Sequence, residues 1–379
     1  MLKPKLSSSF HGRSPEMLRE IYEQPVAIRK TIDCNREAGK SLAALWPIEA
    51  TLLTFKKIII AASGSSRHAG LAGEIMIEDL AGLSVDVEYS SEYCLRSTHA
   101  DHDPLVIVIT QSGETADTLA AQREALKRGA KTLAISNVAD STIVREANAA
   151  LITCAAPERA VPATKSFTAQ LVILYLLGLL LAGKRGRLSA EAILTHWKRL
   201  EVLPDEIEKQ LPSWDARAAD AARFARRAKK FLFLGRGIHY AIAREGALKL
   251  KEVSYVQAEG LPAGELRHGP NALVDRDLVV VGLATRDSSD ADSTLRYQKT
   301  LGVLEYVKSY GGRVIGIAAQ CDDEVSRAAD RVIFVPPAPE LLLPILESVP
   351  LQLFAYHFLS INGYDVDHPR HLVKAVTRE

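Results

Sequence analysis

The feature that most constrains this chain is a repeat. The stretches "KKIIIAASG" (56–64) and "KKFLFLGRG" (229–237) align without a gap at a separation of 173 residues. Each is a basic pair, a short apolar run and a glycine, followed by a helical pattern: "SSRHAGLAGEIMIEDL" (65–80) or "IHYAIAREGALKLKEV" (238–253). A second apolar run comes next in both halves, "PLVIVIT" (104–110) and "DLVVVGLAT" (277–285). A helical pattern and a third run, "KTLAIS" (131–136) or "RVIGIAA" (313–319), complete the match. Strands that are apolar throughout and alternate with helices belong to parallel sheets covered on both faces. The expectation is therefore α/β: two tandem doubly wound parallel-sheet αβα domains, similar to each other.

A length of 379 residues is long for a single core and agrees with two domains. The charged stretch 184–230 between the halves has a helical pattern and is expected to pack across both. The resulting division is a loose tail at 1–18, a first domain with an N-terminal helix at 19–195 and a helical connector at 196–228. A second domain at 229–364 and a C-terminal tail over the site at 365–379 complete it.

With a net charge of +1, nothing suggests a nucleic-acid or membrane partner held by bulk charge. The four cysteines, Cys34, Cys94, Cys154 and Cys321, lie far apart with no CxxC pair. That spacing argues against a zinc site or a disulfide framework and fits a reducing compartment. No signal core precedes residue 17. The most apolar stretch, "AQLVILYLLGLLLAG" (169–183), falls short of the roughly 20 residues of a membrane span, so it is read as a core helix. A soluble cytoplasmic protein is expected.

In open α/β sheets, ligands sit beyond the carboxyl ends of the strands. There the first half carries "SGSS" (63–66) and "TQSGET" (110–115), whereas the second carries "GRG" (235–237) and "TRDSSD" (285–290). Glycine lets successive N–H groups converge, hydroxyls add donors, and the following helix N-terminus favours negative charge. Ser65, Ser66, Thr110, Gln111, Ser112 and Thr115 thus form a candidate anion site. These loops hold no lysine and match neither a P-loop nor GxGxxG, which favours a single small phosphate over a nucleotide. Helix capping is the plainer reading of one such loop; two, after consecutive strands, favour the anion.

The second half offers "REGALKLKEVSY" (244–255), where Glu245, Lys249 and Glu252 share one helix face. A solvated ion pair would account for that spacing alone. His268, in "AGELRHGP" (263–270), lies in a loop, where catalytic groups concentrate. The terminus "DVDHPRHLVKAVTRE" (365–379) returns to an apolar "LVKAV" and is expected to dock through it. Lys374, partly desolvated there, is a candidate Schiff-base nucleophile; a solvent-exposed terminal lysine is the commoner case.

Taken together, "QSGETADTL", "LGRG", "EGALKLKEVSY", "GELRHGP", "VPLQLFAYH" and "DVDHPR" resemble the isomerase half of glucosamine-6-phosphate synthase, built from two sugar-isomerase (SIS) domains. The likeness runs from "EIYEQP" (20–25) to the C-terminus. It implies phosphate ligands at Ser66, Thr110, Gln111, Ser112 and Thr115. It implies Glu252 as the base working between C1 and C2 of the sugar, Lys249 beside it, and Lys374 forming an imine with an open-chain ketose. His268 would assist ring opening from across a homodimer interface, and the backbone around Val161 would line the sugar. No cofactor or metal is called for.

Departures are visible too. The synthase carries a glutaminase domain with a nucleophilic cysteine after its initiator methionine; here Leu2 follows Met1, so glutamine hydrolysis is not expected. The loops "GSSRHAG" (64–70) and "PATKS" (162–166), with Ala163 where the synthase has serine, are more similar to stand-alone SIS-type glucosamine-6-phosphate deaminases. The leading expectation is deamination of glucosamine 6-phosphate to fructose 6-phosphate and ammonia. Synthesis in reverse, from free ammonia or a partner glutaminase, is the runner-up, ahead of plain aldose–ketose isomerisation. A phosphosugar-sensing regulator is the alternative of another class, and it would have no chemical reason to keep Glu252, His268 and Lys374 together.

Overall fold

The computed structural model describes residues 15–36, 48–96, 104–367 and 369–377. Most of the expected N-terminal tail lies outside the described residues. Three helices, α1 (Glu16–Tyr22), α2 (Gln24–Arg36) and α3 (Glu49–Thr54), precede the first sheet. The first half then runs β1 (Lys57–Ala62), α4 (Gly64–Ala81), β2 (Ser84–Tyr89), α5 (Ser90–Tyr93), β3 (Leu105–Ile109) and α6 (Ala116–Lys127). It closes with β4 (Lys131–Ser136), α7 (Thr142–Glu146), β5 (Ala149–Ile152) and α8 (Lys165–Lys184). Next comes a long helix, α9 (Ala190–Ala225), whose first turn is capped by the Ser189 hydroxyl on the Ala192 N–H.

The second half repeats the plan with β6 (Lys230–Gly235), α10 (Ile238–Ser254), β7 (Gln257–Pro262), β8 (Leu278–Ala284) and α11 (Ala291–Ser309). It ends with β9 (Arg313–Ala319), α12 (Asp323–Ala328), β10 (Arg331–Val335) and α13 (Leu343–Ile361). Each half forms a five-stranded parallel sheet, ordered β2-β1-β3-β4-β5 and β10-β9-β8-β6-β7. These are one order repeated, with β1 and β6 in equivalent places. The three apolar runs read in each half become the three inner strands, buried on both faces. Of the four edge strands, β2 ("SVDVEY") and β7 ("QAEGLP") escaped that reading because an edge strand needs less apolar surface, while β5 ("AALI") and β10 ("RVIFV") are short apolar runs.

Among the described residues two helices, Lys165–Lys184 and Glu340–Ile361, are long and apolar enough to cross a membrane, but 89% of each apolar window is buried inside the protein. A helix that is apolar all round is a core helix when other elements surround it, and α8 and α13 are the central supports of the two halves. The connector is one helix. Through α9, the wholly buried Trp214 donates its indole N–H to the Phe334 carbonyl at 2.6 Å in the second half, and Glu201 pairs with Arg36 of α2 in the first. The two halves also meet directly where α4 packs on α10. This crossing sets the functional geometry.

Candidate functional site

Each half places its strand ends and helix starts around one switch point, β1/β3 in the first and β6/β8 in the second. In the first half, Thr110 ends β3 and Thr115 caps α6; their hydroxyls lie 2.9 Å apart. The Ser112 hydroxyl accepts the Glu114 N–H, and the Glu114 carboxylate holds the Thr142 N–H. Gly113 turns this loop at φ +73°, and a Cβ there would lie 2.0 Å from the Ser141 hydroxyl, so only glycine fits. Ser65, Ser66, Gln111, Ser112 and Thr115 are half-buried and Thr110 is buried.

The second half fills the equivalent point with its own carboxylates. Buried His239, in the first turn of α10, bonds Glu347 through Nδ1 at 2.7 Å and Glu340 through Nε2 at 3.2 Å. Thr285, at the end of β8, donates its hydroxyl to Glu347; Ser293 and Arg296 of α11 donate to Glu340. Burial lowers the His239 pKa, but Glu347 and Glu340 outweigh it and raise the value to about 10. Thr285 of "TRDSSD" and Ser293 of the following helix therefore serve internal anions, while Ser289 bonds Asp287 within the loop.

The charged face of α10 is not solvated. Lys249 is buried, with its ammonium 2.6 Å from Glu252 and 3.4 Å from Glu245. Burial lowers its pKa, but Glu245 and Glu252 overcome this and raise it to about 12. Glu252 is the exposed end of this chain, with about a fifth of its side chain accessible. Its pKa is raised, first by burial and further by the Glu245 charge, against the opposing pull of Lys249. Glu245 sits at the other end, wholly buried, 2.8 Å from His68 Nδ1 on α4 and within hydrogen-bonding reach of the Ser65 hydroxyl. Burial raises the Glu245 pKa, yet Lys249, His68 and Ser65 together hold it below the usual value. Ser65, read from the sequence as a phosphate ligand, is thus turned toward a carboxylate of the second half.

The C-terminal tail crosses this region. Asp367 accepts the Glu16 and Met17 N–H groups at the start of α1, where the helix dipole favours a carboxylate. The Arg370 guanidinium lies 3.9 Å above the Tyr255 ring, and its backbone N–H donates to the Tyr255 hydroxyl. The Lys374 ammonium is 2.5 Å from Glu158. The Val376 carbonyl accepts the Ala116 N–H, the first of α6. The expected docking through "LVKAV" is not what holds the tail: Leu372, Val373 and Val376 are exposed, and polar contacts with the buried Val366 do the work.

Glu158 was not singled out in the sequence. Wholly buried in the loop between β5 and α8, it accepts from Thr164 and Ser166 as well as Lys374, and its charge acts on Lys249. Val161 and Ala163 are half-buried in the same loop. The structure thereby gathers Ser65, Lys249, Glu252 and Lys374 around Glu245 and Glu158. His268 stands apart, exposed after a 3-10 turn at Ala263–Arg267, and bonds none of them within this chain. The arrangement brings together a hydroxyl-rich loop at Thr110–Thr115, a partly accessible carboxylate at Glu252 and the Lys374 ammonium. Residues 51–180 and 225–362 match the SIS domain.

The chain belongs to the SIS family. It is 35% identical to the C-terminal domain of glucosamine-fructose-6-phosphate aminotransferase from Francisella tularensis, covering 94% of this chain and 99% of that one with a TM-score of 0.86. It is also 43% identical over 367 residues to a glutamine–fructose-6-phosphate aminotransferase (isomerizing) of Chlorobaculum tepidum. That alignment takes in 96% of this chain but 58% of the relative, so the SIS chain spans less than two thirds of its length. A glucosamine-6-phosphate deaminase from Thermotoga maritima shares the SIS fold at a TM-score of 0.72 and 21% identity.

Proposed function

We propose that this chain interconverts fructose 6-phosphate and glucosamine 6-phosphate, running toward the amino sugar with ammonia as the nitrogen donor. The observation that carries the proposal is the Glu252 carboxylate, raised in pKa by burial and held by the Lys249 ammonium at 2.6 Å, in a chain whose other half presents the hydroxyl-rich Thr110–Thr115 loop. The direction is supported by the 43% and 35% identities to proteins named aminotransferases, against 21% to a named deaminase. Deamination is the same path in reverse.

In this reading Ser66, Thr110, Gln111, Ser112 and Thr115 hold the phosphate, and that anchoring orients C1 and C2 over Glu252. His268 opens the sugar ring as a general acid–base, acting from its exposed turn on the site of a second copy. Ammonia adds at the C2 carbonyl and water leaves, giving an imine. Glu252 then takes a proton from C1 while the imine nitrogen gains one, giving an enolamine. The proton returned at C2, with loss of the O1 proton, yields the aldehyde of the amino sugar. By the other route to the same imine, Lys374 leaves Glu158, gives up a proton and condenses with the C2 carbonyl with release of water; ammonia then adds at C2 and the lysine amine departs. Val161 and Ala163 line the sugar.

The test is conversion of fructose 6-phosphate and ammonium to glucosamine 6-phosphate by purified protein, with ammonia release from glucosamine 6-phosphate measured in parallel. Turnover in the first arm that falls roughly 100-fold or more in Glu252→Gln supports the proposal. Turnover unchanged in Glu252→Gln, or none in either arm, overturns it.

A further inference from the structure

The chain of charges on α10 does not end within the second half. Its far carboxylate, Glu245, crosses the seam between the halves to His68 Nδ1 at 2.8 Å, with both side chains buried. His68 follows by two residues the Ser66 of the candidate anion loop, and Ser65 of that loop reaches the same carboxylate. The neighbouring cations are engaged elsewhere. Arg67 stacks on Tyr89 at 3.8 Å, and Arg244 donates to the Tyr240 and Tyr89 hydroxyls at 3.0 Å. On α13, Glu347 is taken by His239. Besides His68 and Ser65, Glu245 faces Lys249, which in turn feels Glu252 and Glu158; the charges of Glu245 and His68 also act directly on Glu252.

We propose that His68 is a positioning residue: by holding Glu245 it keeps Lys249 on Glu252, and so couples the base to the anion loop of the other half. The inference rests on the proposed role of Glu252 and adds a residue that its chemistry does not touch.

The physical argument is a competition for one ammonium. Lys249 lies between two carboxylates, closer to Glu252 than to Glu245 by 0.8 Å (2.6 against 3.4 Å). Glu245 tolerates that distance because His68 is bonded to its other oxygen. A wholly buried carboxylate that loses a donor must recover the interaction or take up a proton. Without His68, Glu245 draws Lys249 toward itself, and Glu252 keeps its burial with a weaker counter-charge. The base then titrates higher, and its carboxylate is no longer held in one place. The geometry also distinguishes between amide replacements. The contact is made through Nδ1, which an asparagine amide nitrogen superimposes and a glutamine amide overshoots.

Three variants, His68→Asn, His68→Gln and His68→Ala, test this with two readouts. The first is direct titration of the Glu252 carboxyl by carbon NMR on glutamate-labelled protein, assigned by its loss in Glu252→Gln; it needs no turnover. Gln and Ala should raise the titration midpoint by about one pH unit, and Asn should hold it near the parent value. The second is turnover of fructose 6-phosphate with ammonium. Gln and Ala should lower kcat roughly tenfold, with KM for the phosphosugar within twofold, because the phosphate anchor is intact. If Ala does not fold, the Asn and Gln pair decides. A midpoint unmoved in Gln, or Asn and Gln shifted alike, overturns the role of His68. A parent that turns over no sugar defeats the proposed function instead, and the titration still judges His68.

Discussion

Glu158→Gln is the sharpest probe of how the tail is held. The wild-type carboxylate is fully buried and accepts from five donors: the Thr164 and Ser166 N–H groups, their two hydroxyls and the Lys374 ammonium. Glutamine keeps the volume but replaces one acceptor oxygen with a donor. Its amide oxygen is retained by the backbone N–H groups of Thr164 and Ser166, which cannot reorient, so the NH2 faces Lys374. Breaking a buried pair costs about 3–5 kcal/mol. A quarter of the Lys374 side chain is accessible, so the lysine recovers some hydration and the low end applies, about 3 kcal/mol. Much of that loss belongs to local opening of the tail, because Lys374 is the cation that the tail contributes here. An opening free energy lowered by about 3 kcal/mol raises the open population roughly 100-fold. Limited trypsinolysis after Arg370 and Lys374 should accelerate by that order while cleavage is slower than reclosing. Despite burial, Lys374, Ser166 and Thr164 hold the folded Glu158 pKa below 4.5. The advantage of the wild type is therefore fully present above about pH 4.5 and fades as pH falls through the folded value. Proteolysis accelerated less than threefold at neutral pH, with an unchanged urea midpoint, would refute the assignment of Glu158 as the tail's anchor.

Two further outcomes test the scaffold. His239 is raised to about 10 and Glu340 lowered to about 2, so the cluster stabilises fully between roughly pH 4.5 and 6.5; its contribution is lost as pH rises toward 10 or falls toward 2. Urea unfolding free energy should decline by about 1 kcal/mol per pH unit between pH 7 and 9 from this site, and the slope should flatten in His239→Gln; equal slopes would sink the account. Gly113→Ala demands φ +73° of an alanine and pushes its methyl onto Ser141, so a loss of about 2–4 kcal/mol in urea unfolding is expected, with weaker phosphosugar binding by calorimetry; a loss below 1 kcal/mol would show that the loop relaxes freely.

What was legible in the sequence was what is local or repeated. The inner strands announced themselves as apolar runs, and the second copy of the pattern confirmed the first. The edge strands β2 and β7 carry acids, a proline and a glycine, because one of their sides needs no partner strand. The stripe of Glu245, Lys249 and Glu252 was visible since helix geometry alone puts them on one face. Its burial was not, because that depends on α4 crossing from the other half. His68 and Glu158 stayed hidden for the same reason. Each finds its partner, Glu245 or Lys374, 177 and 216 residues away, and no spacing rule connects them. The tail misled in the opposite direction: its apolar letters suggested burial, while Asp367, Arg370 and Lys374 make the contacts.

The two switch points of this duplicated fold ended up on opposite terms. The second carries its own negative charge in Glu340 and Glu347, which His239, Thr285, Ser293 and Arg296 already meet within the chain. On the proposed reading the first takes its negative charge from the sugar phosphate, and such binding would add stability in proportion to the logarithm of the ligand concentration. One half is thus a finished frame and the other a conditional one. Because α4 packs on α10, these two terms meet along one seam.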